Sequence, residues 1–158
     1  MLIASLITSA LLLMTKPVEV LTMQPSDTYI TSIDERQIDI SAEDIALIER
    51  CVMSEAGGES SECQMAVATV ILNRVACPSK FPDTVPGVIY AQNQFSLHNN
   101  GDVSFEVKLN VLAALTLYDG QRIPYQLYYF RNSHYHNFGV PYKKIDNTYF
   151  SLSENVLL

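Results

Sequence analysis

The stretch Cys51-Val52-Met53-Ser54-Glu55-Ala56-Gly57-Gly58-Glu59 brings an apolar run to a carboxylate, two glycines and a second carboxylate. Glycines at a helix end supply left-handed backbone for a C-cap and leave no bulk beside the acid. The pattern sets Glu55 at the mouth of a helix, sheltered on one side by apolar neighbours and open to a ligand on the other. A carboxyl in such a place suits general-acid chemistry, because shelter from water favours the protonated form that donates. Glu59 is read as a supporting residue, its carboxylate holding backbone amides at the start of the next helix, where negative charge is stabilised.

The flanking sequence must position these acids. Ser41-Ala42-Glu43-Asp44 is a capping-box pattern and opens a helix with Ile45, Ile48 and Val52 on one face, ending at Gly57. Ser61-Glu62-Cys63-Gln64 is a second such box ahead of Met65 to Leu72, a run apolar on nearly every side and therefore the central buried helix. Asn73-Arg74 closes it and is expected to tie its end to a loop. Val85 to Tyr90 reads as one short helical turn. A polar loop from Gln92 to Asp102 carries Gln94-Phe95-Ser96, and a third helix runs from about Ser104 to Asp119, with Gly120 at its C′ position.

The last quarter changes character. Gln126 to Phe130 and Thr148 to Ser151 are strand-like runs, separated by a loop with Asn132, His134, His136, Phe138, Gly139 and Pro141. Tyr128, Tyr129 and Phe130 should alternate between the core and a ligand-facing surface. The expected fold class is α+β, a helical bundle with a small β element on one side.

Composition bounds the partners. The chain has 158 residues, suited to one domain, and a formal net charge of -7. Nucleic acid is excluded as a partner, since phosphate neutralisation needs clustered Lys and Arg, whereas a neutral or zwitterionic polymer such as a glycan is compatible. Met1 to Met14 is apolar and too short for an ordinary membrane-spanning helix, which needs about 20 residues. Residues 1–23 are read as a signal peptide or membrane tether, 24–43 as a flexible polar linker and 44–158 as the folded domain, exported and monomeric. Cys51 and Cys63 can meet across the turn between consecutive helices, whereas Cys63 and Cys77 sit too far apart along one helix; three buried free thiols are the alternative. No Cys/His set has zinc-ligand spacing, so neither metal nor cofactor is expected.

The ordered motifs resemble one family. They are Ser54-Glu55-Ala56-Gly57-Gly58-Glu59, Gln64 to Arg74, Phe81 to Tyr90, Gln94-Phe95-Ser96, Leu127 to Phe130 and Tyr149-Phe150-Ser151. In this order, over roughly Ile45 to Ser151, they are similar to the catalytic domain of the spore cortex-lytic enzyme and cell-wall hydrolase (SleB-type) family. The resemblance implies a compact lysozyme-like domain that cleaves peptidoglycan glycan strands between N-acetylmuramic acid and N-acetylglucosamine. It further implies a lytic transglycosylase with one catalytic glutamate, matched here by Glu55. The chain departs from the pattern in carrying Thr148 where the family commonly has His, in its three cysteines and in showing no repeat-type wall-binding segment.

Cleaving a glycosidic bond needs a proton delivered to the leaving oxygen and support for an oxocarbenium-like centre. A hydrolase would need a second carboxylate about 5 to 9.5 Å away. Glu59 follows on the same side, and Asp102 is as well suited to capping the third helix. A transglycosylase needs one acid, which favours that reading over a muramidase or a catalytically silent glycan-binding module. Gln94 and Ser96 are the candidate sugar contacts with Phe95 packed beneath them, joined by Tyr128, Tyr129, Asn132 and His136.

Overall fold

The computed structural model describes residues 38–97, 101–119 and 126–154, all within the unit Glu35–Leu158. The segment read as signal or anchor, and Gly120, lie outside the described residues. Among the described residues no helix is long and apolar enough to cross a membrane.

Helix α1 (Ala42–Ala56) starts on the expected capping box: Ser41 accepts from the Asp44 amide, and the Asp44 carboxylate accepts from the Ser41 amide. It buries Leu47, Ile48, Cys51 and Val52. Ile38 and Ile40, inside the stretch read as linker, pack on the core while partly buried, so the packed chain begins upstream of Ser41. The end of α1 differs from expectation. Gly57 caps it with φ -61°, ordinary helical backbone, so a left-handed cap is not why glycine stands there. A Cβ at Gly57 would lie 2.4 Å from the Met53 carbonyl oxygen and 2.9 Å from its sulfur, so close approach excludes a side chain.

Helix α2 (Ser61–Val75) is the central element, with eleven buried residues from Cys63 to Val75. Its N-cap is Ser60 rather than Ser61: the Ser60 hydroxyl accepts from the Cys63 amide at 3.4 Å. The Ser61 hydroxyl instead donates to Glu106 at 3.1 Å. Gln64, 1% exposed, donates to the Glu59 carbonyl at 3.0 Å and accepts from Asn110 at 2.8 Å, which satisfies its buried amide. Cys77 falls past the end of α2 rather than on it.

Helix α3 (Val85–Ile89) is the expected short turn, capped by Thr84. Helix α4 (Phe105–Asp119) is capped by Ser104, whose hydroxyl accepts from the Val107 amide at 3.3 Å, so Asp102 has no capping role. Helix α2 packs against α1, α3, α4 and strand β1.

Strands β1 (Leu127–Asn132), β2 (Val140–Ile145) and β3 (Thr148–Leu152) form an antiparallel sheet in the order β1-β3-β2. The sequence reading left β2 in a loop. As an edge strand with Pro141, Lys143 and Lys144 exposed, it lacks the apolar alternation that marks a half-buried strand. The architecture is α+β with a helical core, as expected.

The turn between β2 and β3 reaches the start of α2. Asp146, at φ +50°, accepts from the Ser60 amide at 2.8 Å, and Lys143 pairs with Glu62. The amide-holding task expected of the Glu59 carboxylate at this helix start is therefore carried at Ser60 by Asp146, while Glu59 supplies its carbonyl to Gln64.

Two outcomes follow from this packing. A chain beginning at Ser41 folds but loses about 1–3 kcal/mol relative to one beginning at Glu35, because partial burial of Ile38 and Ile40 is removed. Paired urea melts measure the difference. The hydrogen bonds from Ser60, side chain first and backbone second, hold the Asp146 carboxyl below its ordinary value of 3.8. Its contribution is thus present above that value and lost as pH falls through the lower folded one. Asp146→Asn should melt below wild type at neutral pH, with the gap closing only in strong acid.

Candidate active site

Glu55 sits in the last turn of α1, one residue before Ala56 is buried in the core. Its Oε1 accepts a hydrogen bond from the Ser96 backbone amide, which brings the Gln94-Phe95-Ser96 loop against the end of the helix. An open cleft of about 470 Å³ runs beside it, lined by Glu55, Asn93, Gln94, Phe95, Ser96, Phe130, Arg131 and Asn132.

The loop is held from below by Arg74, 5% exposed at the end of α2. Its Nε donates to the Tyr128 carbonyl at 2.9 Å and its Nη1 to the Gln94 side-chain oxygen at 3.0 Å. The guanidinium carbon lies 5.2 Å from the Phe81 ring centre and 5.1 Å from that of Phe95. Burial lowers the Arg74 pKa to about 10, which leaves it cationic at neutral pH. Asn73 beside it donates to the Leu127 carbonyl at 3.1 Å. The expected tie between the Asn73-Arg74 pair and a loop is present, and it extends to β1.

Asn132 ends β1 opposite Thr148, whose hydroxyl donates to the Asn132 side-chain oxygen at 3.3 Å. That bond orients the amide and leaves its N–H donors for other partners. Phe130 packs on Phe95 with ring centres 5.9 Å apart.

Five of the residues expected to work together are brought together: Glu55, Gln94, Phe95, Ser96 and Asn132 line one cleft. Tyr128, Tyr129 and His136 do not line it. Tyr128 is buried against Phe81, with ring centres 5.1 Å apart. Tyr129 and His136 cluster with Phe138, at 5.1 Å and 4.5 Å from its ring centre, and the His136 ring meets the Phe130 carbonyl at 3.4 Å. A register shift between Leu127 and Tyr129 buries two consecutive residues and breaks the alternation on which the tyrosines were chosen. Phe130, named with the tyrosines as core or ligand-facing, does line the cleft, whereas Asn93 and Arg131 were missed; Asn93 has φ +59°, a left-handed turn conformation that Asn tolerates. Glu59 and Asp102 lie outside the lining, so among the described residues Glu55 is its one carboxylate.

All three cysteines are free. Cys51, one turn before Glu55, is buried, and burial followed by the Glu55 charge pushes its thiol far up. Burial raises Cys63 to about 11. Among the described residues no group of His, Cys, Asp and Glu has the geometry to hold a metal ion.

The comparisons agree with this fold. The cell wall hydrolase family model matches residues 58–151, and the chain belongs to that family. The match begins three residues after Glu55. The catalytic domain of the Bacillus cereus SleB protein superposes with a TM-score of 0.60 at 30% identity, covering 75% of this chain and 96% of that one. The catalytic domain of the germination-specific lytic transglycosylase SleB from Bacillus anthracis does so at 0.59 and 30%, covering 73% and 99%. The spore cortex-lytic enzyme of Oceanobacillus iheyensis is 46% identical over 66 residues, and that of Bacillus subtilis 43% over 63. Those stretches are 42% and 40% of this chain but only 24% and 20% of the relatives' length. The fold is that of SleB-type catalytic domains.

Thiol chemistry checks the core around the cleft. At pH 8 iodoacetamide should modify only Cys77 in the folded protein, because thiolate character and access govern alkylation. Mass spectrometry should count three modified cysteines after denaturation.

Proposed function

We propose that this domain is a lytic transglycosylase that cuts peptidoglycan between N-acetylmuramic acid and N-acetylglucosamine, with Glu55 as its one general acid and base. The observation that carries this reading is a cleft of about 470 Å³ in which, among the described residues, Glu55 is the only carboxylate and, Arg131 apart, the other lining groups are neutral hydrogen-bonding or aromatic side chains. Such a lining suits an uncharged sugar ring with hydroxyl and acetamido groups. Family membership and the likeness to SleB catalytic domains support the same class of reaction.

In the proposed mechanism Glu55 gives its proton to the glycosidic oxygen as the C1–O bond breaks. The carboxylate then takes the proton of the muramoyl 6-hydroxyl as that oxygen closes on C1. The product ends in a 1,6-anhydro ring, and Glu55 regains its proton, so no water is consumed. Ser96 and Asn132 hold sugar hydroxyl and amide groups, and Phe95 with Phe130 forms the apolar floor. Hydrolysis by paired carboxylates would need a second acid across the ring, and none among the described residues lines the cleft. We place the enzyme outside the membrane, where its polymer lies.

Glu55→Gln keeps the shape of the side chain but has no proton to give. It should lower lysis of purified peptidoglycan by about 10²–10⁴-fold with an unchanged thermal melt. Mass spectrometry of wild-type products should find anhydromuramoyl ends. Reducing ends would instead make the enzyme a muramidase, and full activity in the Gln variant would remove Glu55 from the mechanism.

A further inference from the structure

Among the described residues, Glu55 is held by a loop rather than by another acid or base. Its bond from the Ser96 amide depends on where residues 94–96 lie. Gln94 is exposed and sits in a turn entered through the left-handed Asn93, where its backbone amide donates to the Ala91 carbonyl at 3.2 Å and its side-chain nitrogen to the Gln92 carbonyl at 3.5 Å. Besides the Phe130 ring packed on Phe95, this turn is reached by the buried Arg74, through one hydrogen bond to Gln94 and one ring face of Phe95. The other half of the guanidinium is fixed on β1 through the Tyr128 carbonyl. Arg74 thus joins both walls of the cleft, and it does so without taking Glu55 as an ion-pair partner.

We propose that Arg74 is a positioning residue for the reaction. By gripping Gln94 and Phe95 it sets the loop that delivers the Ser96 amide to Glu55, and so governs turnover rather than sugar affinity. The inference rests on the reading of Glu55 as the acting acid. It also changes the task given to Gln94: its side-chain oxygen is engaged from below by Arg74, so it serves as the handle of the loop more than as a sugar contact. An orientation error of about 1 Å at a reacting group can cost about 10²-fold in rate, so a displaced loop is felt in catalysis even where binding survives.

The experiment measures kcat and KM on soluble peptidoglycan glycan strands, with melting temperatures, for wild type, Arg74→Lys, Gln94→Met and the double variant. Lysine keeps the charge but cannot hold the Tyr128 carbonyl and Gln94 together as the planar fork does. Gln94 is exposed, so Gln94→Met tests the same bond in a folded protein even where Arg74→Lys is poorly stable. Each single variant should lower kcat at least about tenfold with KM within about twofold, and the double variant should lose no more than the worse single one. A raised KM at unchanged kcat in Gln94→Met would overturn the proposal by making Gln94 a sugar contact. Losses that simply add would overturn it too, since the two residues would then act separately. If wild type itself releases no glycan fragments, the functional reading fails and the positioning role falls with it. An active wild type with normal kcat in Gln94→Met defeats the positioning role alone.

Discussion

A guanidinium buried among a backbone carbonyl, a side-chain amide and two aromatic rings is the constraint on which the cleft depends. Removing such a cation from water costs several kcal/mol. The two hydrogen bonds of Arg74, about 1.5–3 kcal/mol each for a charged donor, and two ring faces at about 0.5–2 kcal/mol each offset a cost of that size. The net effect on stability is therefore small, and what remains is geometry. None of the partners is a carboxylate, so the charge is satisfied without drawing Glu55 into a salt bridge. An ion pair there would oppose the proton-donor role proposed for Glu55.

The same helix is tied to the sheet at its other end. At the start of α2, Asp146 holds the Ser60 amide and Lys143 pairs with Glu62; at its finish, Asn73 and Arg74 hold the carbonyls of Leu127 and Tyr128. The sheet is thus tied to α2 near both helix ends, through β2 and its turn at the start and through β1, which borders the cleft, at the finish. Glu55 enters from α1 just before this helix begins, and Gln64 links the intervening turn to α4 by accepting from Asn110. Few of these ties are worth much alone. Together they leave the acid little freedom except at its open side.

How far the sequence disclosed this follows from which signals are local. Ser41 and Asp44 announce the first helix because a capping box is written within four residues, and the apolar Met65 to Leu72 announces a helix buried on all sides. Glu55, Gln94, Phe95 and Ser96 were legible as a group through motif order rather than through any contact that a linear reading reveals. Strand β2 was not legible, because an edge strand that exposes two lysines and a proline has no apolar period. Tyr128 and Tyr129 were misplaced by one register shift, a feature set by pairing with β3 and not by their own residue types. Gly57 was picked out correctly for the wrong reason: the demand is for space beside Met53.

The contrast between the two acids of the opening motif shows why residue type alone does not assign chemistry. Glu55 and Glu59 lie four residues apart and flank the same glycine pair. One ends a helix beside a cleft, faces a polar loop and receives a single backbone amide. The other enters the next helix, lends its carbonyl to a buried glutamine and stands beside Asp146 and Ser60, away from the cleft lining. Had the chain continued as a helix through Gly57 and Gly58, residues four apart would share one face and both carboxylates would crowd one site. Breaking the helix between them separates the acids into two environments. Among the described residues that separation leaves the cleft with one carboxylate, met by the Ser96 backbone amide, and on the proposed reading its orientation comes from a loop that Arg74 grips rather than from a second charge.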